Sequence, residues 1–116
     1  MPNYMLLLHD SGTMPPGMSP AEMQAIIQRY VAWREQAQAG GRKVEGHKLA
    51  DGHGRVMRGQ AGAATVTDGP YAEAREVIGG VFIIEARHYD EAVALCHDCP
   101  HLDFGTIEIR EIEPTP

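Results

Sequence analysis

Two short runs of this chain, Tyr4-Met5-Leu6-Leu7-Leu8 and Val81-Phe82-Ile83-Ile84, are apolar at every position. In a β-strand successive side chains point to opposite faces, so Leu6 and Leu8 oppose Met5 and Leu7, and Phe82 and Ile84 oppose Val81 and Ile83. A sheet built on these strands therefore has two apolar faces, and both need a cover. With 116 residues the chain is a single domain, 1–116, long enough for one core.

The remaining segments supply one cover. Ser19-Pro20-Ala21-Glu22 has the form of a helix start, with Ser19 as N-cap, Pro20 at the first helical position, Glu22 closing a capping box and Met18 placed to staple onto Met23. Met23, Ile26, Ile27, Tyr30, Val31 and Arg34 recur at helical spacing as far as Gly40-Gly41, which predicts a helix over Pro20–Ala39. Lys43–Leu49 reads as a second strand. Gly52-His53-Gly54 reads as the tip of an extra hairpin with arms Arg55–Arg58 and Ala63–Thr67, lying at a sheet edge. Gly59-Gln60-Ala61-Gly62 lacks the Lys-Ser/Thr and following helix of a phosphate loop and is a hairpin turn. Asp90–Cys99 predicts a second helix stopped by Pro100, and Thr106–Ile112 a final strand. The order βαββαβ is α+β, the ferredoxin-like split βαβ with an extra β-hairpin, in which both helices cover one face of the sheet. The other face is left as a partner surface, and its simplest partner is a second copy in a C2 homodimer.

Charge narrows the partners. Ten basic against 16 acidic residues, a net charge of −6, argue against nucleic acid. The apolar run Tyr4–Leu8 has no basic region before it and is too short for a signal peptide or a membrane span, which places the protein in the cytoplasm with no membrane partner. Two cysteines in that setting are expected as free thiols.

The segment Val66-Thr67-Asp68-Gly69-Pro70-Tyr71-Ala72-Glu73-Ala74-Arg75-Glu76-Val77-Ile78-Gly79-Gly80 carries the most specific turn. Pro70 fixes its own φ and lacks an amide hydrogen while Gly69 tolerates positive φ, so Asp68-Gly69-Pro70 ends one strand and re-aims the chain. The segment resembles the signature of the YCII-related family, whose longer members carry Asp-Gly-Pro-Phe, a Glu-rich turn and a Gly-Gly strand start, with Tyr71 here in place of Phe. The resemblance runs from Tyr4-Met5-Leu6-Leu7-Leu8 to Gly105-Thr106-Ile107-Glu108-Ile109-Arg110. It implies the dimeric α/β barrel and no assigned reaction. Some family members occur beside or fused to sigma factors of the extracytoplasmic-function type, which implies a non-catalytic ligand-binding or regulatory module as the alternative to a small-molecule acid-base enzyme. Shorter relatives are described by a His on the first helix and an Asp before the proline that ends the second. Here Tyr30 and Cys99 align with those positions, so that mechanism does not transfer.

The side chains suited to chemistry form a diffuse set. Asp68, His9 and Tyr71 are candidate catalytic residues, with His47, Glu73, Glu76 and Tyr30 as candidate ligand-binding residues around an unknown small molecule near the Asp-Gly-Pro turn; Asp10 adjoins His9. Asp68 suits either an Asx turn or a general acid or base. Glu73 and Glu76 share a face if their segment is a helical turn, and could hold a cation or act as acid and base. His9 and His47, on parallel strands with one strand between, lie roughly 10 Å apart across the sheet and could bracket a small ligand. No cofactor is implied. Cys96-His97-Asp98-Cys99-Pro100-His101 lacks the second cysteine pair of a structural zinc site, so no metal is expected. A redox Cys-x-x-Cys draws its low thiol pKa from a helix N-terminus, whereas this pair falls at a C-terminal end. Cys96 and Cys99 instead continue the apolar stripe of Ala92 and Val93 as core thiols. Both thiols are predicted to be reduced and slow to label in the native protein; rapid modification by a thiol reagent without denaturant contradicts this.

Overall fold

The structure is a computed structural model that describes residues 1–11, 17–69 and 76–115. In chain order its elements are β1 (Asn3–Asp10), α1 (Pro20–Ala37), β2 (Val44–Lys48), β3 (Arg55–Arg58), β4 (Thr65–Asp68), β5 (Val77–Glu85), α2 (Tyr89–Cys96) and β6 (Thr106–Ile112), with short 3₁₀ turns at Ala39–Gly41 and Pro100–Asp103. The fold is α+β. Four strands form one sheet in the order β2-β5-β1-β6, every neighbouring pair antiparallel, and β3 and β4 form a separate two-stranded sheet. Among the described residues no helix is long and apolar enough to cross a membrane.

Register fixes the two faces. Leu6 pairs with Phe82 and with Ile109, and Phe82 with Gly46, so these residues share one face, while Leu7, Val81, His47 and Glu108 share the other. Both helices cover the first face: Tyr4, Leu6, Leu8, Val44, Phe82 and Ile84 form one buried cluster with Trp33 and Ala37 of α1 and Ala92 and Cys96 of α2. Each large apolar side chain buried there contributes about 1.5–3 kcal/mol in transfer free energy. On the second face Met5, Leu7, Val81 and Ile83 stay partly exposed. The chain measures 48 × 48 × 18 Å, and 18 Å is the depth of one sheet plus one helix layer.

Local chemistry explains the elements. Ser19 Oγ accepts the Glu22 amide and donates to Glu22 Oε1, both at 3.1 Å, which caps α1 as expected. Gly40 and Gly41, at φ 79° and 84°, end it. At α2 the cap is His88, whose Nδ1 accepts the Glu91 amide at 3.1 Å; Glu91 reaches back to the Arg87 amide and guanidinium. Those bonds hold its carboxyl below the ordinary carboxylate range. Arg42 spans the helices, donating to Ala37 O at the end of α1 and to Glu91 of α2, while its buried Nε has no partner among the described residues.

Several sequence expectations need correction. The buried stripe of α1 runs through Trp33 and Ala37, with Ile27 and Val31 more than 40 % exposed. Trp33 wins because its indole bridges the layers: Nε1 donates to Leu95 O at 2.9 Å and the ring meets Phe82 edge-on at 5.0 Å. The hairpin turns at 59–64, so Gly52-His53-Gly54 is the approach to β3, and the hairpin stands apart from the edges of the main sheet. β5 starts at Val77, four residues before the expected strand. Helix α2 ends at Cys96 with His97 as its C-cap, Cys99 before the proline is extended, and Pro100 opens the 3₁₀ turn. Cys99 therefore lies outside the helix, yet both thiols are free and buried. Burial, reinforced by Cys99, pushes the Cys96 thiol up to about 12. Val93 is exposed and does not belong to their stripe.

The Phe82 ring lies over Gly46, and a Cβ at that position would overlap it. Gly46→Ala is expected to lower stability by about 1–3 kcal/mol as an overpacked core, read by urea unfolding. In a Phe82→Leu background most of that penalty should vanish.

Candidate functional site

At the end of β1 the sheet breaks its own rhythm. Leu8 pairs with Gly80 but His9 pairs with Ile78, so Gly79 is an extra residue in β5. Such a bulge reverses the phase of the strand beyond it. Gly79 is also where the Asp10 carboxylate lies: a Cβ there would overlap Asp10 Oδ2. Around this break the end of β1 (His9, Asp10, Ser11), the start of β5 (Glu76 to Gly79), residues 49–56 and Gly69 line an open cleft of about 770 Å³.

His9 lines the cleft and is held from two sides. It projects on the uncovered face, 24 % exposed, with Nε2 3.0 Å from Oε1 of Glu108 on β6. An ionised carboxylate only accepts hydrogen bonds, so Nε2 carries the proton in the neutral ring and Nδ1 holds the free lone pair. The His9 backbone is fixed from below. Buried His101 brings Nε2 to within 2.9 Å of His9 O, and Tyr30 Oη lies 3.1 Å from His101 Nδ1. A carbonyl cannot donate, so His101 carries a proton at Nε2, and in the neutral ring Tyr30 donates to Nδ1. The Tyr30 hydroxyl is pushed up to about 12, chiefly by burial and then by Cys99 and Asp10; it is a neutral donor at physiological pH. Gly105 makes this approach possible, because a Cβ there would overlap His9 O.

The other expected site residues distribute unevenly. Glu76 lines the cleft, whereas Tyr71 and Glu73 lie outside the described residues. Tyr30 sits beneath the sheet end with His101 and does not line the cleft. His47 pairs with Val81, level with Leu7, two residues short of His9. Two strand spacings and two residue steps put the histidine backbones about 12 Å apart, and His47 lies at the exposed β2 edge, 3.7 Å from Glu45. The two histidines share a face, and His9 lines the cleft while His47 is not among its lining residues. Among the described residues no group of three or more His, Cys, Asp or Glu is placed to hold a metal.

Asp68 departs furthest from expectation. It is the last residue of β4, its carboxylate is 94 % exposed, and its contact is a 3.4 Å ion pair with Arg55. An Asx turn closes onto the amide two residues on, and residue 70 is a proline without one. Glu108 and His101 were missed because neither has a local motif: each meets its partner across about a hundred residues of sequence. Register was the available signal, since pairing β1 antiparallel with a strand at 106–112 puts Glu108 beside His9.

These features define a two-layer α+β domain with one covered sheet face and an open cleft at the end of the central strands. The YCII-related domain matches residues 3–116, and the chain belongs to that family. No curated protein matches it.

An exposed ion pair contributes little, so Asp68→Asn and Asp68→Ala are both expected to unfold within about 0.5 kcal/mol of the parent. A loss of more than 1 kcal/mol specific to the alanine variant in thermal or urea unfolding would restore a capping role.

Proposed function

We propose that this protein is a homodimer of the dimeric α/β barrel type that performs acid-base chemistry on a small molecule held in the cleft at the end of β1 and β5. The strand order, with β5 between β2 and β1 and β6 outside β1, supports the ferredoxin-like reading. The partly exposed Met5, Leu7, Val81 and Ile83 support a second copy packed on the same face. The observation that carries the chemistry is the His9–Glu108 pair at the cleft. Glu108 holds the ring in one tautomer, which makes His9 Nδ1 the base, and Asp10 lines the same cleft. Asp68, next in sequence to Gly69 of the cleft lining, is 94 % exposed, which suits ligand contact better than proton transfer. The openness of the cleft favours, as a second reading, a binding module without turnover, of the kind associated with sigma-factor systems.

A thermal-shift screen of small metabolites on the untagged protein, followed by turnover assays on the hits, tests the chemistry. His9→Asn should fold normally and lower turnover by about 10²–10⁴, the usual contribution of a general base, with Glu108→Gln intermediate. Ligand stabilisation without product, unchanged in His9→Asn, would establish the binding module instead. Sedimentation at low micromolar concentration should give twice the 12.7 kDa chain mass; a monomer there rejects the dimer.

A further inference from the structure

Among the described residues His101 is the polar side chain that the fold buries, at 4 % exposure. Burying an imidazole costs free energy unless its nitrogens find partners, and both do: Nε2 lies 2.9 Å from His9 O and Nδ1 3.1 Å from Tyr30 Oη. An apolar side chain would fill the same space without that requirement. The backbone of His101 is fixed as well, since its carbonyl accepts the Phe104 and Gly105 amides, both at 2.9 Å. What this anchored ring touches is the least regular point of the sheet. The β1–β6 pairing ends at His9 and Thr106, and the β1–β5 register shifts between Leu8 and His9. With a ladder end on one side and a bulge on the other, strand pairing alone specifies the His9 backbone only loosely.

We propose that His101, backed by Tyr30, is a positioning residue for His9: its bond to the His9 carbonyl fixes the peptide from which the ring projects, and so keeps Nε2 on Glu108 and Nδ1 free as the base. The inference rests on the acid-base reading above and adds to it a residue that is not among those lining the cleft. His9 Nε2 and Glu108 Oε1 are 3.0 Å apart with both side chains open to water, 24 % and 47 % exposed. A pair so exposed contributes little by itself, so it does not hold the ring unaided. The buried contacts lie on the other side, in a chain that runs from Tyr30 on α1 through His101 to His9 O. Hydrogen bonds are stronger in that low-dielectric setting than in water, so the buried end of the chain dictates geometry to the exposed end. Tyr30 completes it: with Nε2 of the neutral ring donating to a carbonyl, Nδ1 must accept, and the tyrosine hydroxyl is the donor there.

Nuclear magnetic resonance of the His9 ring in the full chain, in mildly alkaline buffer where an ordinary imidazole is neutral, tests this without a ligand. Glu108→Gln removes the charge beside Nε2 and should displace the His9 Nε2 and Cε1 signals. That displacement should persist in His101→Gln, whose amide nitrogen can donate to His9 O in place of Nε2. It should fall by about half or more in His101→Leu and by a smaller fraction in Tyr30→Phe, as for any pair whose coupling runs through a third group. Far-UV circular dichroism and urea unfolding identify the variants that fold. A His101 that merely filled space would lower stability when changed and leave the displacement as it is. A folded His101→Leu that keeps the wild-type displacement overturns the proposal, and so does Tyr30→Phe if the leucine variant does not fold. No displacement in the wild type overturns it as well. If the pattern holds while no screened metabolite is turned over, the acid-base reading falls and the positioning of His9 stands.

Discussion

The whole arrangement depends on the central pair β1 and β5 being apolar on both sides. Strands of that kind exclude water from either face, yet the described residues form two α-helices and both pack on the same side. Leu6, Phe82 and Ile84 find Trp33, Ala37 and Ala92 above them, while Met5, Leu7, Val81 and Ile83 stay partly exposed. The thin shape follows from that imbalance.

Much of this was legible in the sequence, for reasons that differ by element. The start of α1 was readable because capping is local: Ser19, Pro20 and Glu22 specify a helix origin within four residues. The last strand, Thr106–Ile112, was readable because alternation and a preceding glycine bound it. The buried face of α1 was less so, because Ile27 and Val31 fit the helical period as well as Trp33 does, and only the distance to Phe82 and Leu95 O decides between them. His88 was not recognised as a cap, since histidine is not among the usual N-cap residues and the Glu91 amide is what selects it.

The cleft was harder to anticipate than the fold. His9 could be singled out from its place at a strand end, but the group that organises it, Glu108, is joined to it only by strand pairing, and His101 and Tyr30 approach from beneath through α1 and the 3₁₀ turn. A turn motif drew attention to Asp68 because Gly69-Pro70 is conspicuous, whereas the carboxylate itself is among the most exposed in the structure. Conformational punctuation and chemistry coincide in sequence there without coinciding in space.

The bulge at Gly79 gives the cleft a property unlike that of the rest of the sheet. Elsewhere a strand's parity is locked to the core, and any change of one residue would turn buried side chains outward. Beyond the bulge that lock is released, because the phase of β5 at Val77 and Ile78 is set by one glycine and not by the buried run that follows. The end of the sheet can therefore be re-aimed by a single-residue change in length while Phe82 and Ile84 keep their places. Evolution could retune what the cleft presents to a ligand there without renegotiating the core.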